Sequence, residues 1–262
     1  PTGAAAVAAG ATDSSTSSSG GGMDSRVLKS DYIKMMIQWL ARNEEAKHNM
    51  SVCNVTTPAN YFHVLRRQIH RPYAKPLVLM SPKYLLHHAA AVSDLREFEA
   101  GTSFDRVISD RSPMNNLRDS FLALDPVPPP QTRKVLVCSG KIAYALHHGR
   151  KAKRGRDIVI VRLEQLAPFP AAEMTSVLGH YPNAQVLWVQ EEPKNMGGWS
   201  YVHPRLSNIL RRLVERGERP GGGGEEFDVV RYVGRAASAT TASGCFTIHS
   251  KENRMVVSEA LS

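Results

Sequence analysis

The chain has 262 residues, 42% hydrophobic and 22% charged, with 33 Lys and Arg against 24 Asp and Glu for a formal charge of +9. Such usage supports a packed core over most of the length and excludes collagen, coiled coil and wholesale disorder. The longest apolar runs, Pro76–Met80 and Lys134–Cys138, fall far short of the roughly 20 residues that a membrane helix needs.

Residues 1–23 are rich in Ala, Ser and Gly and bury too little surface to offset ordering entropy, so they are expected to be disordered. The chain opens on Pro1 without a signal peptide or basic presequence, and the polypeptide is expected to start upstream or to have been trimmed. Between Asp24 and Asn49, the spacing of Tyr32, Met35, Met36, Trp39 and Leu40 predicts a helix. Ser51–Val55 reads as a strand. Thr57 then caps a helix with Pro58 in its first turn, an apolar stripe at Phe62, Leu65 and Ile69, and Pro72 as its stop. Pro76–Met80 reads as a buried parallel strand and Ser81-Pro82 as the start of another helical turn, which completes a β-α-β unit.

From Ala91 to Thr132 the pattern weakens around Gly101, Pro113 and Pro126–Pro130, and the segment is expected to be a linker. A second unit follows. Strands are predicted at Val135–Cys138, Asp157–Leu163, Gln185–Gln190 and Asp228–Val233, with helices at Ile142–His148, Ala171–His180 and Trp199–Leu213 and a flexible break at Gly221–Gly224. Strands and helices alternating in this way indicate an α/β fold with a parallel sheet covered on both faces.

The positive charge is local. No carboxylate occurs from Ala46 to Ser93 or from Arg133 to Arg156, and such fields attract nucleic acid, phosphorylated metabolites or acidic surfaces. Basic helix ends account equally well for Arg150–Arg156. The three cysteines, Cys53, Cys138 and Cys245, are far apart without a C-x-x-C, which points to a reducing compartment. Ser139-Gly140-Lys141 lies where a strand hands over to a helix, so backbone N–H groups and one ammonium form a candidate anion site. The full phosphate-loop spacing is absent. Glu191 and Glu192 end a strand but have no third ligand at metal spacing, so capping the next helix and pairing across an interface are their expected work. His87, His88, His147 and His148 belong to no metal motif and are expected at the surface, and His63 is expected to be a satisfied structural histidine.

Several segments in order resemble the 2-oxoglutarate dehydrogenase family, the thiamine-diphosphate-dependent first components of their complexes. They are Asn54–His70, Lys75–Lys83, Val137–Lys141, Val161–Pro170, Tyr181–Asn183, Gln190–Gly198, Tyr232–Arg235, Ala237–Ala239 and His249. The resemblance implies a transketolase-like fold: residues 24–90 as the end of a pyrimidine-binding domain, 91–132 as a linker and 133–262 as the C-terminal domain. It further implies that thiamine diphosphate and magnesium are held mainly by a portion this chain lacks, and that no catalytic, cofactor-binding or metal residue lies in this segment. The cofactor's ylid would attack the 2-oxo carbon, carbon dioxide would leave, and succinyl would pass to lipoamide. Implied partners are a second copy in a homodimer and the dihydrolipoyl succinyltransferase and dihydrolipoyl dehydrogenase components, with the mitochondrial matrix, or the bacterial cytoplasm, as location. Some relatives bind AMP or acetyl-CoA, and Arg96, Arg106, Lys141 and Gln190 lie in segments resembling that effector region. Competing readings are a 2-oxoadipate dehydrogenase homologue, a non-catalytic scaffold, and a nucleic-acid-binding module that lacks any aromatic platform motif.

Overall fold

The computed structural model describes residues 47–112, 115–117, 120–220 and 229–262. The expected disorder of residues 1–23, the helix up to residue 46 and the break at Gly221–Gly224 lie outside them. Residues His48–Ser262 form one compact unit. Among the described residues no helix is long and apolar enough to cross a membrane.

Strand β1 (Ser51–Asn54) leads into helix α1 (Pro58–His70) and parallel strand β2 (Leu77–Met80). Thr57 caps α1 by accepting the Asn60 N–H at 3.1 Å, and Pro58 occupies the first turn. Arg71, extended at ψ 137° ahead of Pro72, ends the helix. The apolar stripe is displaced from where it was expected. Phe62, Leu65 and Ile69 are 43%, 41% and 80% exposed, while Ala59, Asn60, His63 and Val64 are buried. The inward face is chosen by hydrogen bonding: the Asn60 side chain binds Asp105 and Glu164, and the His63 ring lies 2.7 Å from the Glu97 carbonyl. His63 is buried, as expected of a structural histidine, but only half satisfied: Nε2 faces the Glu97 carbonyl and Thr102 Oγ1, while the buried Nδ1 has no hydrogen-bond partner. β2 is parallel as expected but not fully buried, since Val78 and Met80 are 45% and 43% exposed.

Residues 91–132, expected as a linker, carry structure. A capped 3-10 turn spans Leu95–Phe98, and strand β3 (Val107–Ser109) pairs antiparallel with residues 161–163 of a later strand. Ile108, Leu117 and Leu122 are buried. The remaining elements are β4 (Lys134–Cys138), α2 (Ile142–Lys153), β5 (Ile158–Leu163), β6 (Gln165–Ala167), α3 (Ala171–Gly179), β7 (Gln185–Pro193), α4 (Trp199–Glu215), β8 (Arg231–Arg235) and α5 (Phe246–Ala260). They build a five-stranded sheet, β3-β5-β4-β7-β8, whose last four strands are mutually parallel.

Alternation along the strands sends side chains to two cores. Val135, Val137, Val161 and Trp188 pack with Met174 and Leu178 of α3 and Leu206 and Leu210 of α4. Leu136, Ile160, Leu187 and Val189 pack with Ile142 and Leu146 of α2 and Val256 and Ala260 of α5. The sheet is thus covered on both faces, as its continuous apolar strands require. A second sheet, β2-β1-β6, is joined to the first at Glu164, the one residue between β5 and β6, where the chain turns to pair antiparallel with β1.

Candidate functional site

The parallel strands all end on one side of the large sheet, the side where ligands collect in such folds. There Ser139-Gly140-Lys141 connects β4 to α2. Ser139 Oγ donates to the Leu163 carbonyl at 2.9 Å and ties the turn to the end of β5. Gly140 has φ +75°, a left-handed conformation that favours glycine, and the Asn54 side chain of β1 lies against it. The Lys141 ammonium lies 2.6 Å from Glu191 Oε1, with both side chains only partly exposed. Glu191 thus pairs within the chain, with the lysine of the β4–α2 turn, where pairing across an interface was expected.

This pair lines a cleft of about 940 Å³ between α2 and α5. Its walls carry Tyr84, His88, Tyr144 and His249, with Phe121 and Phe246 strongly exposed at its sides. Burial depresses the His88 pKa below its usual 6.5, which favours the neutral ring. Tyr144 is committed elsewhere, donating to the Thr56 carbonyl at 2.6 Å. Aromatic walls with the ammonium groups of Lys141 and Lys153 and the guanidinium of Arg254 suit a partly apolar anion. The lining does not fit magnesium diphosphate. Its single carboxylate, Glu191, is already paired, and no group of three His, Cys, Asp or Glu that could hold a metal occurs among the described residues.

The four residues expected around an effector fall in different places. Lys141 lines the cleft; Arg96, Arg106 and Gln190 do not. Arg96 is exposed and pairs with Asp94 at 3.6 Å. Arg106 pairs with Glu173, and its carbonyl receives the Glu164 N–H at 2.9 Å. Gln190 is buried and fully used. Its Oε1 accepts from Trp188 Nε1 at 2.8 Å and from the Trp199 N–H at 3.0 Å, while its Nε2 donates to the Met196 carbonyl at 2.8 Å. It therefore organises the Gln190–Gly198 turn and caps α4. Within that turn Gly198 lets the Trp188 ring approach, since a Cβ would stand 2.8 Å from it.

Two charged clusters were hidden from sequence. At the corner between the sheets, the fully buried Glu164 carboxylate accepts from the Thr56 N–H at 2.8 Å, the Thr56 hydroxyl and Asn60 Nδ2 at 3.0 Å. Burial raises its pKa and the neighbouring Arg162 pulls it back down. Arg162 itself donates to Thr56 Oγ1, Asn115 and Asn116. Beneath the sheet, Arg150 forms a two-pronged pair with Asp110 and donates to His147 Nδ1 at 3.2 Å. His147 is buried rather than at the surface as expected, because it is packed against this ion pair. No sequence signal joined Asp110 to residues forty positions away.

The basic run after Arg133 is largely committed to chain ends and loop carbonyls. Arg133 and Lys134 reach the Ser262 carbonyl at 2.9 and 3.1 Å, Lys153 the Ser258 carbonyl at 3.4 Å, and Arg156 the Asp125 carbonyl at 3.0 Å. Of the cysteines, burial pushes the Cys53 and Cys138 thiols up to about 11 and about 12. Cys245, exposed ahead of α5, is lowered by the backbone N–H groups of Ile248 and Thr247.

A family model described as 2-oxoglutarate dehydrogenase C-terminal matches residues 92–261. Proteins named 2-oxoglutarate dehydrogenase E1 component from Brucella anthropi and Brucella abortus (strain S19) are each 40% identical over 216 residues, covering 82% of this chain. The chain spans only 20% of the length of these curated relatives. A solved structure titled "Split gene transketolase, inactive beta4 tetramer" is similar with a TM-score of 0.46 and 14% identity, over 81% of this chain and 58% of that one. The match over most of the described fold makes the chain a member of the 2-oxoglutarate dehydrogenase C-terminal family.

Proposed function

We propose that this chain is the carboxyl-terminal part of the first component of a 2-oxoglutarate dehydrogenase complex. In this reading the whole subunit decarboxylates 2-oxoglutarate and passes succinyl to lipoamide, working as a homodimer with dihydrolipoyl succinyltransferase and dihydrolipoyl dehydrogenase. The mitochondrial matrix, or the bacterial cytoplasm, is the compartment that goes with it. The observation that carries the reading is 40% identity to E1 components over 216 residues. In this reading thiamine diphosphate and magnesium are held mainly by the remaining portion of the subunit. Residues 24–90 are then the end of the pyrimidine-binding domain and 133–262 the C-terminal domain.

This segment's own contribution is architectural and regulatory. The Lys141 end of the α2–α5 cleft supports a role in holding a phosphorylated effector such as AMP or acetyl-CoA, with the ammonium on the anion and Tyr84 or Phe246 against the base. Arg96, Arg106 and Gln190 would act outside the cleft, Gln190 by fixing the turn that carries Glu191. The test is reconstitution. Mixed with the B. anthropi E1 component truncated ahead of the segment matching this chain, the chain is expected to restore carbon dioxide release from 2-oxoglutarate, and to release none alone. Turnover by the isolated chain, or none on mixing, would sink the proposal.

A further inference from the structure

Lys141 faces the cleft already holding a counter-ion. Its ammonium stands 2.6 Å from Glu191 Oε1, and the two side chains keep 34% and 24% of their surface open. Both belong to fixed pieces of backbone. Lys141 is the N-cap of α2, a helix with no acidic residue in its first turn, so the positive end of the helix lies beside the ammonium. Glu191 lies where the β7–β8 pairing shifts register, between Val189 and Pro193. The Gln190 hydrogen bonds pin that irregular stretch to the start of α4. On its other side Glu191 borders a void of about 10 Å³ walled by Arg235, His249, Glu252 and Asn253. Polar groups there are under-used. Arg235 Nε and Glu252 Oε2 stand 2.9 Å apart without the alignment of a hydrogen bond, and the buried Asn253 Oδ1 has no partner. The carboxylate therefore sits between two cationic neighbours, Lys141 on the cleft side and Arg235 across the void.

An anion entering the Lys141 end of the cleft meets this carboxylate first. To take the ammonium it must displace Glu191 or lie against it, and like charges so close repel. We propose that Glu191 is a resident competitor that sets which ligands the cleft accepts: a phosphate monoester takes Lys141, and the Glu191 carboxylate turns toward Arg235. A singly charged group only exchanges one negative charge on Lys141 for another. A phosphate monoester carries about −1.5 to −2 at neutral pH, with three acceptor oxygens, and outbids the carboxylate. The inference rests on the proposed effector role of the cleft and adds the residue that sets its affinity and charge preference. Were Glu191 only a prop for the turn, its removal would loosen Lys141 and gain no affinity.

The full chain is titrated calorimetrically with AMP, with acetyl-CoA, whose ribose phosphate is also a monoester, and with cyclic AMP, whose phosphodiester carries a single charge. The unsubstituted chain is expected to bind AMP about ten-fold or more tighter than cyclic AMP. Glu191→Gln, close in shape but uncharged, is expected to tighten AMP and acetyl-CoA about ten-fold. Lys141→Gln is expected to weaken both ligands and to cancel that gain when combined with Glu191→Gln, because the gain runs through the freed ammonium. Glu192→Gln removes an equal charge from an exposed neighbour outside the cleft and is expected to leave binding unchanged. Because the paired side chains are partly open, unfolding midpoints should stay within a few degrees, which separates altered binding from lost folding. Unchanged or weaker binding by Glu191→Gln, equal tightening by Glu192→Gln, or equal affinity for AMP and cyclic AMP overturns the competitor and leaves the effector reading standing. Failure of both the unsubstituted chain and Glu191→Gln to bind either AMP or acetyl-CoA overturns both.

Discussion

Asp110 is a buried carboxylate answering to three donors: both terminal nitrogens of Arg150 and the Ile160 N–H at 2.8 Å. Replacing it by Ala leaves the Arg150 guanidinium charged and buried without its partner, a change that costs about 3–5 kcal/mol. Asp110→Ala is therefore expected to lower the urea midpoint severely, whereas a shift under 1 kcal/mol would mean the pair contributes little. Its neighbour His147 supplies a pH signature. Arg150 has no acceptor, so His147 Nδ1 must carry the lone pair that faces it. Burial first, then Arg150 and Arg162, hold the ring's pKa well below 6.5. The unfolded chain consequently takes up a proton below pH 6.5 that the folded chain refuses. This contribution to stability is complete above pH 6.5 and is lost as pH falls toward the folded value. His147→Gln keeps an acceptor for Arg150 and does not titrate. Between pH 6.5 and 5.5 its unfolding free energy should fall less steeply than that of the unsubstituted chain, by up to about 1.4 kcal/mol per pH unit. His88, also lowered by burial, titrates in both proteins and cancels in the comparison. Equal slopes would show that His147 is not held neutral.

At the scale of elements, helix α5 decides whether one face of the large sheet stays dry. Val256, Ala260 and Leu261 close the core formed by Leu136, Leu187, Val233 and α2, and Gly149 of α2 lets α5 approach so closely that a Cβ would stand 2.8 Å from Val257 and Leu261 methyls. Alanine at 149 would gain helix propensity of about 1 kcal/mol while asking only flexible methyls to give way, so its sign is a close balance. Gly149→Leu cannot be accommodated without lifting α5. It is expected to raise binding of a hydrophobic dye and to speed proteolysis between Arg235 and Phe246, and native-like protection there would show that the helices do not depend on this contact. The spacing of residues revealed α1–α4 and the parallel strands, because each has a strong local signal: caps, continuous apolar runs or a 3.6-residue stripe. β3 and α5 escaped. Three residues are too few for periodicity to register, and α5 mixes its buried Val256 and Ala260 with exposed Ile248 and Met255. In α1 the apolar face was legible but not its orientation, because the buried polar partners of Asn60 and His63 lie thirty or more residues away.

For the molecule as a whole, the candidate site was readable where it is local and hidden where it is assembled. Ser139-Gly140-Lys141 announced a strand-to-helix turn, yet only the fold brings Glu191 onto Lys141 and sets α5 across the cleft. The same limit applies to the two basic stretches, whose excess charge is legible in composition although much of it is spent on carbonyls of the same chain. The corner at Glu164 is one joint that holds His48–Ser262 together as a unit, and its share can be tested directly. There β5 gives way to β6, β6 pairs with β1, and the carboxylate gathers donors from Thr56 and Asn60, while Arg162 reaches the same threonine. Glu164→Ala would strip the partner from buried donors on β1-α1 and remove the opposing charge from Arg162, a loss of several kcal/mol centred on the joint. Hydrogen exchange in the unsubstituted chain should give the amides of β1 and β2 protection close to that of β4 and β7. In Glu164→Ala the β1-α1-β2 amides should exchange by an opening that leaves β4 and β7 protected, because the five-stranded sheet keeps both of its own cores. If β4 and β7 lost protection to the same extent, the joint would be part of a single global core, and the β1-α1-β2 unit could not open separately from the sheet behind it.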